Sequence, residues 1–215
     1  VSKGRGQDYS TFSVIDITKG EFEQVATYRD NLISPLIFPD IIIKIAKVYN
    51  EAMVLIENND AGQVVCNTVY YEYEYDNTFV ESSVKRGGIG VTMTKRVKRI
   101  GCSNLKDLIE MGKLKINDSE TIRELASFES KGSSFQAAQG NHDDLVMNLV
   151  LFAWFVSSEA FGNISDINLK EILFSQKMQE IEDDIPPFGV IEDGNHYGNP
   201  AVDQMIEAQK LWKSL

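Results

Sequence analysis

The sequence predicts a mixed α/β domain in which helices flank a central sheet. Three stretches carry that prediction. Residues 10–28 hold two apolar-rich segments either side of Lys19-Gly20, the pattern of a hairpin. Ala52 to Ile56 is a short continuous apolar run, as in a strand buried on both faces after a crossover helix. Leu145 to Val156 is apolar except for Asn148, the mark of a helix buried on most sides.

In chain order, Val1 to Tyr9 is a Gly-punctuated turn leading into strands at Ser10 to Thr18 and Phe22 to Tyr28. Pro35 and Pro39 punctuate the entry to a helix, which Ile42, Ile45, Ala46 and Tyr49 carry to about Asn50. The run from Ala52 ends in Glu57-Asn58-Asn59, after which Asp60 caps a helix reaching Tyr70. Tyr70 to Tyr75 is aromatic and acidic, which suits surface packing better than a platform for bases. Phe79 to Val84 reads as a strand, Cys102 to Met111 as a helix started by Ser103 and stopped near Gly112, and Lys113 to Ile116 as a short strand. Ser119 starts a further helix through Phe128, and residues 132–140 form a polar turn region suited to a hairpin. Beyond the apolar helix the character changes. Asn168 to Ile181 is amphipathic, Glu180 to Pro187 is an acidic, Pro-terminated stop, and residues 188–215 form a partly irregular arm. The expected division is a domain over residues 1–165 and an appendage over 166–215.

At 215 residues the chain can bury a sizeable core. Its net charge of -11 argues against coating nucleic acid by bulk electrostatics, although a local basic groove is compatible with it. Two cysteines, Cys66 and Cys102, lack metal-ligand spacing and exclude a disulfide scaffold. No apolar run reaches the length of a membrane span, so no membrane partner is expected. No signal peptide is visible, and the opening on Val rather than Met suggests an excised piece of a longer chain.

Chemistry concentrates in three places. His142-Asp143-Asp144 stands directly before the apolar run, and carboxylates beside a core need compensation, which a divalent cation supplies most strongly. The plainer alternative is helix capping, since Asp and Asn favour N-caps. Glu57 ends a candidate central strand, where open α/β sheets place ligands, or is simply a solvated loop acid. Lys85 to Arg99 packs six cations and three glycines into fifteen residues, against the global charge. Those cations can neutralise phosphates or form a solvated face.

Taken together, Gly4-Arg5-Gly6-Gln7-Asp8-Tyr9, Leu55-Ile56-Glu57-Asn58, the block Gly101-Cys102-Ser103 to Leu105-Lys106-Asp107-Leu108-Ile109-Glu110, and His142-Asp143-Asp144-Leu145-Val146-Met147 resemble one family. It is the nuclease domain of the large terminase subunit of tailed bacteriophages, in particular of the contractile-tailed, T-even-like group. The likeness is collinear over about residues 1–180.

The resemblance implies a ribonuclease H-like fold of the resolvase and integrase type. It implies three carboxylates that bind Mg²⁺ or Mn²⁺ and cut concatemeric double-stranded DNA during headful packaging, with little sequence specificity. Glu57 and Asp144 are then metal ligands, with Asp143 adjacent, and His142 or Asp143 orients a ligand or water. The family's first-strand aspartate is expected just upstream of Val1, outside this chain; Asp8 is a second, nearby carboxylate that can assist. Hard oxygen donors suit such ions and two-metal hydrolysis. The implied DNA contacts are Lys85, Arg86, Lys95, Arg96, Lys98 and Arg99. Further implied partners are an ATPase domain on the same polypeptide, the portal protein and the small terminase subunit, at a prohead in the host cytoplasm. No G-x-x-x-x-G-K-[ST] loop occurs here, so ATP hydrolysis is not expected of these residues. A junction-resolving nuclease is an alternative that cutting of four-way junctions against linear duplex would separate. A non-catalytic module docking on DNA or the portal is another, distinguished by binding without cleavage.

Overall fold

A computed structural model of the chain describes residues 1–162, apart from 7, 19, 82–87 and 132–133. Lys85, Arg86, the far end of the strand expected at Phe79 to Val84, the amphipathic helix and the arm lie outside the described residues.

The expected hairpin forms as β1 (Ser10–Asp16) and β2 (Phe22–Asp30), antiparallel from Ser10 opposite Asp30 to Asp16 opposite Glu23. A bulge between Val14 and Ile15 shifts the register. α1 (Phe38–Val48) follows with Pro39 in its first turn, where a missing N–H costs nothing, and buries Phe38, Ile43 and Ala46. The segment 52–58 is extended, but it pairs through single parallel bridges, Val54 with Thr78 and Glu57 with Val91, rather than a continuous ladder. It is buried on both faces all the same. Val54 and Ile56 join the core under α1, while Met53 and Leu55 pack on Phe79, Val91, Leu151 and Phe155.

α2 (Gly62–Asn67) continues into a π-helical turn, Thr68–Glu72. Asp60 is not its cap. The N-cap position is Ala61, without a side-chain bond, and Asp60 is spent on a left-handed turn at φ 46°. That turn presses Gly62 onto the Glu57 carbonyl, where any Cβ would collide with backbone. Tyr71 and Tyr73 lie at the surface, whereas Tyr75 is buried and its hydroxyl donates to the Ala52 carbonyl at 2.7 Å.

β3 (Val80–Glu81) and β4 (Gly88–Ile89) make a small antiparallel pair. α3 (Lys95–Glu110) begins far earlier than Ser103: Thr94 caps it by accepting from the Val97 amide at 3.2 Å. Gly101, which lies before the expected start, sits mid-helix, where α3 crosses the Val150 carbonyl too closely for a side chain. β5 (Leu114–Lys115) joins β2 in parallel and completes the sheet order β1-β2-β5. α4 (Ser119–Ala126) is capped by Asp118, not started by Ser119; its carboxylate accepts from the amide and hydroxyl of Thr121, both at 2.8 Å. The polar turn region is a hairpin, β6 (Phe128–Lys131) with β7 (Ser134–Ala137).

α5 (Asp144–Val156) is the centrepiece, buried on most sides. Val146, Leu149, Val150 and Ala153 form one core with Cys102, Leu105 and Leu114, while Leu151 and Phe155 enter another with Phe79 and Val91. No helix among the described residues is long and apolar enough to cross a membrane.

Candidate active site

The first turn of α5 decides the local geometry. A helix start leaves amide donors without intrahelical partners, and Asp143 at the N-cap makes no side-chain capping bond. The amides of Leu145 and Val146 donate instead to Glu124 Oε2 on α4, at 2.7 and 3.2 Å. Capping, the plainer explanation of the acid pair, is therefore performed by a different residue.

Asp144 is half-buried and turned toward the hairpin. Its Oδ2 accepts from the Tyr9 amide at 3.4 Å and lies 3.6 Å from His142 Nδ1. Thr11 Oγ1 donates to the Asp144 carbonyl at 3.0 Å and reaches Asn148 Oδ1 at 3.4 Å, which ties β1 to the helix. Burial holds the Asp144 carboxyl above the ordinary carboxylate range; Tyr9 and His142 oppose that shift, and the charges of Asp143 and Asp8 add to it. Asp143 turns the other way and meets Lys98 Nζ from α3 at 3.8 Å.

A small framework backs these acids. The Tyr9 ring packs edge-on against His142, centroids 5.0 Å apart, and the Arg29 guanidinium lies 3.8 Å over the Tyr9 ring. Arg29 also reaches Glu120 at 3.4 Å and Glu124 at 3.5 Å. Burial pushes the Glu124 carboxyl upward, opposed by the two helix amides and by Arg29.

Of the residues expected from sequence, Asp8, His142, Asp143 and Asp144 come together. Glu57 is positioned separately, by its bridge to Val91 and by Gly62 against its carbonyl. Val1 lies beside Gly62, next to Glu57, and the Tyr9 amide reaches Asp144. Among the described residues no hydrogen bond or ion pair joins Glu57 to Asp144, and no group of three His, Cys, Asp or Glu side chains forms a ready metal cluster. Asp143 and Asp8 lie near enough to Asp144 for their charges to raise its carboxyl further, and a hard divalent cation is what would relieve that repulsion.

Of the six expected DNA contacts, Lys95, Arg96 and Arg99 are exposed at the start of α3, and Lys98 is turned inward to Asp143. Sequence reasoning missed Tyr9, Thr11, Arg29 and Glu124 as supports of the site. For Glu124 the pattern is misleading: α4 buries Thr121 and Glu124 while Ile122 is 50% exposed, the reverse of what polarity suggests.

The sequence profile of the terminase RNase H-like domain matches residues 1–154. The chain belongs to that family. Its structure is similar to the large terminase nuclease of the thermophilic phage G20c with bound cobalt. The two are 25% identical with a TM-score of 0.55, over 69% of this chain and 75% of that one. The same phage's nuclease with bound magnesium matches at 24% identity and TM-score 0.56, over 71% and 77% of the respective chains. As a terminase nuclease domain, the chain thus carries the RNase H-like fold, with a mixed sheet flanked by helices.

Proposed function

We propose that this terminase nuclease domain is a metal-dependent endonuclease that cuts concatemeric double-stranded viral DNA during headful packaging, with little sequence specificity. One observation carries the reading. Asp143 and Asp144 open a buried helix whose first amides are received by Glu124, so neither acid is consumed by capping. The cobalt bound to the G20c nuclease supports divalent-metal chemistry here as well.

In this reading Asp144 and Glu57 hold Mg²⁺ or Mn²⁺, with Asp8 and Asp143 as adjacent carboxylates. The ion supplies charge neutralisation at the phosphate and a more acidic water when bound. The chain's own groups do the rest. The Tyr9 amide and His142 fix the Asp144 carboxylate, and Lys98 orients Asp143. Lys95, Arg96 and Arg99 hold the DNA backbone, an affinity that falls with salt and reads little sequence. The nuclease unit ends near residue 165. Its partners are the ATPase domain, the portal and the small subunit at a prohead in the host cytoplasm.

The test is plasmid cleavage in Mn²⁺ or Mg²⁺ against an EDTA control. Asp144→Asn and Glu57→Gln should each abolish cutting while melting temperature and far-ultraviolet circular dichroism hold. Full activity in both variants sinks the proposal.

A further inference from the structure

Helices α3 and α4 are capped by the residue that precedes them, Thr94 and Asp118. α5 is not. Asp143 occupies the capping position, and Asp is a preferred capping residue, but its carboxylate faces Lys98 at 3.8 Å instead. Glu124 Oε2 receives the two orphan amides from a separate helix.

Glu124 is itself 6% exposed, and its second oxygen has no hydrogen-bond partner. Facing that oxygen is Arg29 Nη2 at 3.5 Å, an ion-pair contact rather than a hydrogen bond. Arg29 in turn stacks on Tyr9, whose amide donates to Asp144. The path closes on itself: Glu124 to Arg29, Arg29 to Tyr9, Tyr9 to Asp144, and from Asp144 along the helix to the amides that Glu124 caps. A buried carboxylate is costly unless paired and hydrogen-bonded, and here each requirement is met by a group that also positions the site.

We infer that Glu124 is a positioning residue, a cap supplied from another helix that releases Asp143 and Asp144 for metal binding, with Arg29 as its counter-charge. Its functional consequence rests on the nuclease reading above. Its structural part stands on the hydrogen bonds alone.

The experiment uses the full chain, isotopically labelled, as wild type, Glu124→Ala and Glu124→Gln. In Glu124→Ala the Leu145 and Val146 amides should exchange with solvent at least ~10-fold faster, because they lose their acceptor. Mn²⁺ affinity should fall roughly 10- to 100-fold, the usual consequence of losing a group that orients a metal ligand. In cleavage assays kcat should drop while KM for DNA stays, since Glu124 is buried away from the surface that DNA would meet. Glu124→Gln keeps an oxygen for the two amides and so guards against loss of the fold. Its amide exchange should stay near wild type and its Mn²⁺ affinity fall between the other two.

Unchanged exchange at the two amides in Glu124→Ala overturns the cap. Unchanged Mn²⁺ affinity and kcat, with exchange accelerated, overturns the positioning role. A wild-type chain that neither binds Mn²⁺ nor cuts DNA fails the nuclease reading and with it the metal-positioning role, while the exchange rates still decide the cap.

Discussion

The regions around Asp144 and Glu57 hold their acids by opposite means. Asp144 rides on regular structure: a 13-residue apolar helix shared by two cores, crossed by α3 and capped from α4. Glu57 ends an extended segment joined to its neighbours by isolated bridges and flanked by left-handed residues, Asn50, Glu51 and Asp60. Its carbonyl lies against Gly62, and the preceding carbonyl, of Ile56, lies against Gly90, each too close to admit a Cβ. The helix is fixed by apolar contacts spread along its length. An acid held by backbone-on-backbone contact depends on single atoms.

The largest expected effect tests the helical side. Leu149→Ala leaves a cavity in the second core and should cost about 2–5 kcal/mol in urea unfolding. A loss under about 1 kcal/mol means that α5 does not organise the fold. Gly62→Ala tests the other side, at about 3 kcal/mol, because the new Cβ meets backbone that cannot rotate away. It should also move Glu57 and stop cleavage while leaving amide protection along α5 intact. If protection falls equally in both regions, they are one cooperative unit and the contrast fails.

A smaller effect separates the thiols. Burial pushes Cys66, in the core beside Glu57, to about 12 and Cys102, in the core under α5, to about 11, from an ordinary 9.0. Raised values mean that the folded state keeps protons the unfolded chain gives up. This contribution is whole below pH 9.0 and is lost as pH climbs toward about 11 and about 12. Between pH 8 and 10 each thiol should cost about 1 kcal/mol of stability. Urea curves of Cys66→Ala and Cys102→Ala across that range assign the loss to its region, and curves as steep in pH as wild type in both variants refute it.

Thr94→Ala is milder, about 1 kcal/mol, because it removes only the α3 cap. The charge reversals Arg96→Glu and Arg99→Glu should leave stability within about 0.5 kcal/mol. They should lower the salt slope of DNA binding by about 1 for each phosphate no longer neutralised. An unchanged slope removes α3 from the DNA interface.

Much of the fold was legible because it rests on local patterns. Apolar-rich segments either side of Lys19-Gly20 marked β1 and β2, periodicity marked α1, and the apolar run broken only by Asn148 marked α5 with the acid pair at its first turn. Boundaries set by remote contacts were not legible. Ser103 suggests a helix start, whereas α3 begins after Thr94 and runs through Gly101, whose place is set by the remote Val150 carbonyl. The expected cap at Asp60 failed for a similar reason, since Asp60 takes the left-handed turn that brings Gly62 onto the Glu57 carbonyl.

By itself the sequence determined which stretches are apolar enough to be buried, and the residue types at Glu57, Asp143 and Asp144. Both are properties of side chains and their spacing. Only the tertiary structure decided what each acid meets. The amides that follow Asp143 donate to a glutamate nineteen residues earlier, and the Asp144 carboxylate accepts from an amide near the start of the chain. Whether a carboxylate caps, pairs or binds depends on which donors reach it, and those donors come from elements that only the fold brings together.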